Sequence, residues 1–402
     1  MKILYIAPNA AHQLNYIESI YREGHQVFVL TNDLTFHLKR LSVPTFESSF
    51  RNVYGPLIFS LIKKVLYRYK FPFKLLQFFS RIVDDPDSYD RFLNKLIKED
   101  FDIVICHKEQ CLEYIEKFQR NGAIWIIDEV NSHPEFVNKY LAKEAKNLNI
   151  LDQEKYIYNL ATTKKIKQAY QKSDYILCSS NHVFRTINKR TDINQKFIIN
   201  SYGCPYPVLN KKNVNFDSIN LICVARLHFR KGIKYLLELF DYLDKISPGK
   251  YNLTIIGSSS NSAGFDKSLT NPKIKFIGVK SKDKIKKIFL KSHIFILPSL
   301  EEGQALVIGE ALSHGLPVIS TSFSGVKDYP KSKKLLKASY DNLSIQIINP
   351  KNIIDFSNAV FKISKKENYL RASKGAIEIA KQNTWQLSGQ ELVRKLESII
   401  SK

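Results

Sequence analysis

Four charged side chains, arranged as two spaced pairs, are the residues of this 402-residue chain with the clearest capacity for chemistry. Arg226 and Lys231 lie in VARLHFRKG, at the end of an apolar run that predicts a buried strand. Glu302 lies in a turn and Glu310 on the predicted helix that follows it, within LPSLEEGQALVIGEALSHGLPVI. Because ligands of open α/β sheets bind beyond the carboxyl ends of the strands, this spacing predicts that both pairs meet at one ligand site.

The residue types indicate what that site would bind. A guanidinium can bridge two phosphate oxygens and an ammonium adds a point charge, so Arg226 and Lys231 suit a diphosphate. A carboxylate accepts two hydroxyl donors at once, so Glu302 and Glu310 suit neighbouring sugar hydroxyls. Gly303 would let the backbone come close to the ligand.

Four further residues lie near these motifs. Ser324 and Gly325, in STSFSGVKD, precede a predicted helix and are expected to supply amides for phosphate or sugar oxygens. Charged side chains are mostly exposed, so we interpret Glu301 as a surface residue and Arg230 as pointing to solvent, with assistance to the phosphate as the alternative role of Arg230.

The elements that must position these residues follow a repeated strand and helix pattern. Continuous apolar runs separated by helical segments and glycines are typical of a parallel sheet covered on both faces. The first series of predicted strands comprises KILYIAP, GHQVFVLTND, 101–108, 123–130, 174–180 and 196–203. A second series, after the polar segment near 205–216, comprises 219–227, 251–257, 274–279, 294–299 and 317–322. The sequence therefore predicts an α/β protein with two Rossmann-like domains.

These motifs together resemble those of a known family. The pattern R-x4-K-G at 226–232, the pattern E-x7-E at Glu302 and Glu310, the segment GLPVISTSFSG and a late NTW are similar to those of retaining glycosyltransferases of the GT-B architecture, family 4 or group 1. The resemblance is strong in the second half and moderate in the first. It implies an N-terminal acceptor-binding domain at 1–207, a nucleotide-sugar donor-binding domain at 208–383, and a C-terminal helix at 384–402 that crosses back to the first domain across a cleft.

The resemblance also implies roles for residues. Arg226 and Lys231 would hold the diphosphate, Glu310 the ribose hydroxyls, and Glu302 the transferred sugar. The donor site would further include Gly203, Gly303 and the segment Gln304, Ala305 and Leu306. Retention would proceed by front-face attack, in which the departing phosphate takes the acceptor proton. Cations placed at the diphosphate would stabilise the charge that develops there, so no metal or other cofactor is expected.

The first domain departs from the family pattern after its first strand. Ala10 and Ala11 stand where a glycine pair is common. Asn9 and His12 could replace the lost backbone contact with side-chain hydrogen bonds, and Asp128 could contact the acceptor. His133 suits proton relay as a further catalytic residue, while a capping role before Pro134 is the alternative reading.

Composition and charge narrow the class of protein. An apolar fraction of 44% beside a net charge of +23 indicates a folded basic protein. Five scattered Cys favour a reducing compartment over a disulfide framework. No run of about 18 apolar residues occurs, so we expect a cytoplasmic protein. Cys106, His107 and Cys111 are interpreted as strand-end packing, and DDPDSYD at 84–90 as helix capping in preference to metal binding.

Residues 48–83 contain seven cations, no carboxylate and many aromatic side chains. This mixture fits either an anionic membrane surface, on the inner face of the cytoplasmic membrane, or an ordinary helix core. The expected partners are a nucleotide sugar and a glycan or lipid-linked acceptor of envelope or surface-polysaccharide assembly. Two alternatives are a nucleotide-sugar epimerase on the same fold and a non-catalytic basic protein that binds membranes or nucleic acid. Nucleic acid is not expected as a partner of the enzyme.

Overall fold

A computed structural model describes most of the chain in segments. The described residues are 1–6, 12–30, 100–108, 112–149, 158–189, 196–208, 215–258, 271–330, 337 and 343–401. Asn9, Ala10, Ala11, Cys111 and the segments 48–83 and 84–90 lie outside them, so the structure does not test the interpretations placed on those residues.

The described N-terminal part forms a parallel six-stranded sheet in the order β2-β1-β3-β4-β5-β6. Its strands are β1 (Lys2–Ile6), β2 (Gln26–Leu30), β3 (Ile103–His107), β4 (Ile124–Glu129), β5 (Tyr175–Cys178) and β6 (Lys196–Ile199). Its helices are α1 (Gln13–Arg22), α2 (Ile115–Arg120), α3 (Pro134–Asn147), α4 (Leu160–Lys172) and α5 (Asn181–Asn188). A 3-10 turn, Leu112–Tyr114, precedes α2.

The described C-terminal part forms a second parallel six-stranded sheet, in the order β12-β11-β10-β7-β8-β9. Its strands are β7 (Ile219–Val224), β8 (Tyr251–Ile256), β9 (Ile274–Phe276), β10 (Ile294–Leu297), β11 (Val318–Ser320) and β12 (Ile345–Ile347). Its helices are α6 (Ile233–Ile246), α7 (Lys282–Phe289), α8 (Leu306–Ser313), α9 (Ile353–Ser364), α10 (Lys366–Lys381) and α11 (Trp385–Ile400). Short 3-10 turns occur at Phe229–Lys231, Ser322–Ser324 and Val326–Asp328.

Apolar side chains on both faces of the inner strands explain why the sheets are covered on both sides. In β1, Ile3 and Tyr5 join one buried cluster, whereas Leu4 and Ile6 join the cluster on the opposite face. Successive side chains of a strand point to opposite faces, so an unbroken apolar run needs helices on both. The sequence prediction of two α/β domains with parallel sheets is confirmed.

Helix α11 ends the chain against the N-terminal sheet. Leu392, Val393 and Leu396 lie in the same buried cluster as Tyr16 and Ile20 of α1. Thr384 caps α11, since its side chain accepts a hydrogen bond from the Leu387 amide. A helix that belongs to the second domain in sequence therefore helps to bury the first.

Candidate active site

A cavity of about 720 Å³ lies between the two sheets. Its walls come from residues that follow strands: Val130 and Asn131 after β4, and Arg226 after β7. In both domains these are the carboxyl ends of parallel strands, where open α/β sheets bind ligands. The cavity is therefore the candidate active site, and it lies where the sequence predicts one.

The loop after β7 brings three cations to the cavity: Arg226, Arg230 and Lys231. The loop tightens into a 3-10 turn that His228 caps, since its Nδ1 accepts a hydrogen bond from the Arg230 amide at 3.0 Å. Gly232 ends the turn at a φ of +68°, and a Cβ there would lie 2.0 Å from the Pro298 carbonyl oxygen. Glycine is therefore required where the turn passes into α6.

Those cations lower the pKa of His228. Burial and the neighbouring charges of Arg230, Arg226 and Lys231 bring that pKa down to about 4. The imidazole is therefore neutral at physiological pH, as a cap that accepts a hydrogen bond must be.

Lys231 and Glu302 form an ion pair at the cavity wall. Glu302 also accepts a hydrogen bond from Ser299 Oγ at 3.1 Å. Burial alone would raise the pKa of Glu302, but the attraction of Lys231 and Arg230 outweighs it and holds the pKa below its ordinary value. Glu302 is therefore an ionised acceptor of hydrogen bonds at neutral pH.

Arg226 differs from Lys231 in its surroundings. Its side chain is exposed at the cavity. No ion pair to Arg226 occurs within the described residues. It is thus available to an anion without first losing a carboxylate partner.

Glu301 and Arg230 correct the sequence interpretation. Glu301, interpreted as a surface residue, is only 1% exposed, and Arg230, interpreted as pointing to solvent, donates from Nη1 to Glu301 Oε2 at 2.8 Å. The other carboxylate oxygen of Glu301 accepts a hydrogen bond from the Ser132 amide at 3.3 Å. The interpretation was wrong because average exposure ignores that the loop after β10 packs against the N-terminal domain.

The segment before α8 forms the cavity floor and contacts the opposite domain. A Cβ on Gly303 would lie 1.6 Å from the Val130 carbonyl oxygen, so only glycine fits this interdomain approach. The Gly303 carbonyl accepts a hydrogen bond from Ser180 Oγ at 2.7 Å. Gln304 Oε1 accepts one from the Tyr202 amide at 2.6 Å.

Ala305 and Leu306 complete this segment at the start of α8, and both line the cavity. The first amides of a helix point away from it and its dipole favours negative charge. A diphosphate in the cavity would therefore meet the amino end of α8 as well as the cations of the β7 loop.

The structure places Glu310 in a neighbouring cavity. It lines a space of about 390 Å³ together with Lys282 of α7, while Leu306 lines both cavities. Burial raises the pKa of Glu310, although Lys282 and Lys286 oppose the shift. The two glutamates of the E-x7-E pattern thus serve adjoining spaces that meet at Leu306.

His12 lines the cavity from the N-terminal domain. Its Nε2 lies 3.3 Å from Asp128 Oδ2, and its ring packs on Tyr202 with ring centroids 4.7 Å apart. Asp128 is 1% exposed and also accepts hydrogen bonds from Tyr5 and Gln13. Burial would raise the pKa of Asp128, but His12 and the hydrogen bonds outweigh burial and lower it. Asp128 therefore orients His12 from behind the cavity wall.

Tyr158 is a cavity residue that the sequence interpretation missed. Its hydroxyl accepts a hydrogen bond from Lys108 Nζ at 2.9 Å. Lys108 is in turn 3.1 Å from the fully buried Glu129, whose pKa burial raises although Lys108 and Tyr170 oppose the shift. Asp128 and Glu129, adjacent at the end of β4, thus support His12 and Tyr158 respectively. Nothing in the local sequence around Tyr158 indicates this pairing, because Lys108 is 50 residues away.

His133 lies outside the cavity. The residue is fully buried, and its Nδ1 accepts a hydrogen bond from the Glu135 amide at the start of α3. Its ring packs 5.9 Å from that of Tyr170. This geometry fits the capping alternative and places no proton relay at the cavity.

Two other glycine-containing turns pack closely against neighbouring segments. Gly203, expected to face the cleft, lies against the first residues of α11, and a Cβ on it would be 2.4 Å from Trp385 Cα. Ser324 is fully buried, and its Oγ donates to the Thr321 carbonyl oxygen at 2.8 Å. A Cβ on Gly325 would lie 2.6 Å from the Gly303 carbonyl oxygen. The turn at Ser324 therefore supports the segment at Gly303 from behind.

Neither a metal-binding cluster nor a membrane-spanning helix occurs among the described residues. They contain no group of three or more His, Cys, Asp or Glu side chains that could hold a metal ion. None of the described helices is both long and apolar enough to cross a bilayer.

Comparison with known proteins identifies the C-terminal part. Residues 209–378 match the family model described as Glycosyl transferases group 1. This span contains both cations and both glutamates of the predicted donor site. Residues 209–378 are therefore similar to the group 1 glycosyl transferases, and the resemblance seen in the motifs is confirmed.

Curated relatives match shorter stretches. The gpi3 subunit of phosphatidylinositol N-acetylglucosaminyltransferase from Schizosaccharomyces pombe is 25% identical over 181 residues, which is 42% of this chain and 39% of that protein. The amylovoran biosynthesis glycosyltransferase AmsK from Erwinia amylovora is 31% identical over 150 residues, which is 31% of this chain and 37% of that protein. The chain thus spans well under half the length of these two relatives.

Among solved structures, a sucrose-phosphate synthase from Thermosynechococcus elongatus superposes over the whole chain. The TM-score is 0.69 at 15% identity, covering 100% of this chain and 99% of that one. Identity this low shows the fold alone. The GT-B architecture predicted from the sequence is confirmed.

Proposed function

We propose that this protein is a retaining glycosyltransferase of class EC 2.4 that moves a sugar from a nucleotide-diphosphate sugar to a glycan or lipid-linked acceptor. The observation that carries the proposal is the Lys231–Glu302 ion pair at a cavity between two Rossmann-like domains, beside Arg226, which has no ion-pair partner among the described residues. A cation for the leaving diphosphate and a carboxylate for sugar hydroxyls are thus held side by side.

The chemistry follows from that pairing. As the bond between sugar and phosphate breaks, negative charge grows on the diphosphate and positive charge on the sugar ring. Arg226, Lys231 and the amino end of α8 would stabilise the diphosphate, because fixed charges in a partly buried site need no reorganisation. When Lys231 turns to the diphosphate, the ionised Glu302 is released to accept hydrogen bonds from sugar hydroxyls.

The remaining residues of the two walls would contact different substrates, the donor or the acceptor. Glu310, in the adjoining cavity, would accept hydrogen bonds from the ribose hydroxyls. His12, oriented by Asp128, faces the cavity from the N-terminal domain and would contact the acceptor hydroxyl. Front-face attack would pass the acceptor proton to the departing phosphate, with no metal or other cofactor required.

The pathway proposal rests on the relatives' names and on the charge of the chain. AmsK is named for amylovoran biosynthesis, which supports a role in envelope or surface-polysaccharide assembly. A cytoplasmic enzyme at the inner face of the cytoplasmic membrane would meet both nucleotide sugars and lipid-linked acceptors. The net charge of +23 would attract anionic donors and an anionic membrane surface.

A donor screen tests the proposal. Purified protein is incubated with a panel of nucleotide-diphosphate sugars, and thermal stabilisation and slow donor hydrolysis are measured. We expect one donor to stabilise the fold and to be hydrolysed slowly, and Glu302→Gln to retain the fold while losing hydrolysis. A folded sample that responds to no donor would reject the proposal.

The anomeric configuration of the transferred sugar tests retention separately. Product formed with the best donor is analysed by proton NMR, and we expect the configuration of the donor to be kept. An inverted product would reject the retaining mechanism while leaving the transferase class intact.

A further inference from the structure

Among the described residues, several carboxylates bind across the two domains. Glu301 accepts the Ser132 amide, Asp328 accepts both the amide and the side chain of Asn181, and Glu144 accepts Tyr235 and Lys351. Of these, Glu301 also holds a cation that lines the cavity. It therefore connects the donor site directly to the opposite domain.

The geometry of Glu301 divides its two oxygens between the domains. Oε2 lies 2.8 Å from Arg230 Nη1 in the C-terminal domain, and Oε1 lies 3.3 Å from the Ser132 amide in the N-terminal domain. The carboxylate side chain is 1% exposed, whereas that of Arg230 is 32% exposed. A guanidinium has five N–H donors in a fixed plane, so anchoring one edge leaves others directed at the cavity.

The neighbouring pair is built for a different task. Lys231 and Glu302 both belong to the C-terminal domain and both reach the cavity, so a ligand can separate them. Glu301 is fixed on both sides and cannot follow a ligand without losing the Ser132 amide. Two adjacent cations thus face two adjacent carboxylates. A ligand can separate Lys231 from Glu302, whereas Arg230 and Glu301 stay together.

We propose that Glu301 is a positioning residue, which fixes the Arg230 guanidinium toward the donor diphosphate and ties that orientation to the contact between the two domains at Ser132. This inference rests on the proposed function, since it needs an anionic donor in the cavity. Arg230 then acts as a third cation on the diphosphate, beside Arg226 and Lys231.

Glu301→Gln gives a test in which positioning and simple electrostatics predict opposite signs. Glutamine keeps the size of the side chain but has an NH2 group in place of one oxygen. Because Arg230 and the Ser132 amide bind different oxygens of Glu301, one of these two donors would lose its acceptor. If Glu301 positions Arg230, UDP, GDP or ADP should bind about tenfold more weakly by calorimetry. If Glu301 merely adds negative charge beside the site, removing that charge should tighten binding, and this result would overturn the proposal.

Asp328→Asn is the matched control, because it weakens an interdomain carboxylate contact outside the cavity. We expect it to change nucleoside-diphosphate affinity by less than about twofold, within the scatter of independent sites. Equal losses of nucleotide affinity in Glu301→Gln and Asp328→Asn would mean that any contact between the domains, and not Arg230 in particular, sets the affinity. This result would overturn the proposal.

The double variant Glu301→Gln/Arg230→Met tests the coupling itself. We expect it to bind no more weakly than Arg230→Met alone, because Glu301 acts through Arg230. If the losses of affinity in the two single variants added up in the double variant, Glu301 would act independently of Arg230, and this result would overturn the proposal.

Hydrogen exchange at the Ser132 amide provides a readout that does not depend on catalysis. We expect UDP, GDP or ADP to slow this exchange in the wild type and to leave it unchanged in Glu301→Gln. An equal response in both proteins would overturn the link between the domains.

The two hypotheses fail in different ways. A wild type that binds one of these nucleotides but transfers no sugar would reject the proposed function and leave Glu301 to be judged on binding. A wild type that transfers sugar, with Glu301→Gln unchanged in affinity and exchange, would reject the positioning role alone.

Discussion

The two walls of the cavity are built differently. The C-terminal wall has its charged side chains on two loops, each of which follows a strand. The N-terminal wall has His12 and Tyr158, whose hydrogen-bond partners outside the cavity are distant in sequence. Lys231 and Glu302 contact each other directly and line the cavity themselves. Asp128 and Glu129 stay buried and act through another side chain. The C-terminal wall suits the part of the ligand that all donors share, such as a diphosphate. On the N-terminal wall, the residues that line the cavity can differ while the buried carboxylates that support them stay the same.

Lys231→Met should produce the largest effect, because it removes a charge from the wall that faces the leaving group. We expect kcat for sugar transfer to fall about 10²- to 10³-fold, as for loss of one preorganised donor in other enzymes. Steady-state kinetics with the best donor measures this.

Lys234→Met, in the exposed pair with Glu238 on α6, is the matched control and should leave kcat unchanged. If both variants lost activity equally, overall charge would matter more than the position of Lys231.

Gly303→Ala tests whether the two walls must approach each other closely. The added methyl would meet the Val130 carbonyl oxygen, so the domains should be held apart and the walls misplaced. A displacement near 1 Å can cost about 10²-fold in rate, and we expect a loss of that order in kcat/KM with each domain still folded.

Gly249→Ala is its control. Gly249 also has a positive φ, of +78°, but a Cβ there would meet nothing within 4 Å. It should cost about 1 kcal/mol of stability, measured by denaturant unfolding, without affecting kcat/KM. Full activity in Gly303→Ala would show that the walls work at a wider separation.

Asp128→Asn should affect the acceptor more than the donor, since Asp128 orients His12 on the N-terminal wall. We expect the acceptor KM to rise about tenfold through loss of a charged hydrogen bond, with donor affinity unchanged. Kinetics with acceptor and donor varied separately distinguishes the two.

Asp174→Asn removes a carboxylate that accepts the Trp125 amide at the start of the strands, away from the cavity. It should lower stability and leave both KM values unchanged. A rise in donor KM for Asp128→Asn would place His12 on the donor side.

The smallest expected effect is a loss of folding stability in acid, to which one histidine of each domain contributes. Burial and Lys108 lower the pKa of His107 to about 3, despite the opposing charge of Asp128, and burial and three cations lower that of His228 to about 4. Between those values and about 6.5 the unfolded chain binds more protons than the native one, so stability falls as pH is lowered through that range. Denaturant unfolding from pH 7 to pH 4.5 measures the loss.

His228→Asn keeps an acceptor at the cap of the 3-10 turn and removes the titration. We expect it to reduce the slope of the free energy of unfolding against pH by on the order of 1 kcal/mol per pH unit. An unchanged slope would mean that the His228 ring is protonated without cost in the native protein.

The site was predictable to the extent that its residues follow strands with recognisable spacing. The position of Arg226, Lys231 and Glu302 at the cavity was predictable, because each follows an apolar run whose end marks the edge of the sheet. Glu301 was misread and Tyr158 was missed, because their partners Ser132 and Lys108 belong to distant segments. His133 occupies a position where either reading was open from sequence, and burial decided between them.

The sequence by itself determined the two parallel sheets and the wall that carries the cations, because apolar periodicity and charge spacing are local properties of the chain. The tertiary structure alone decided which carboxylate supports which cavity residue and that Gly303 meets Val130. The physical reason is that these contacts join segments far apart in the chain, and their energies depend on burial and distances that no local pattern encodes.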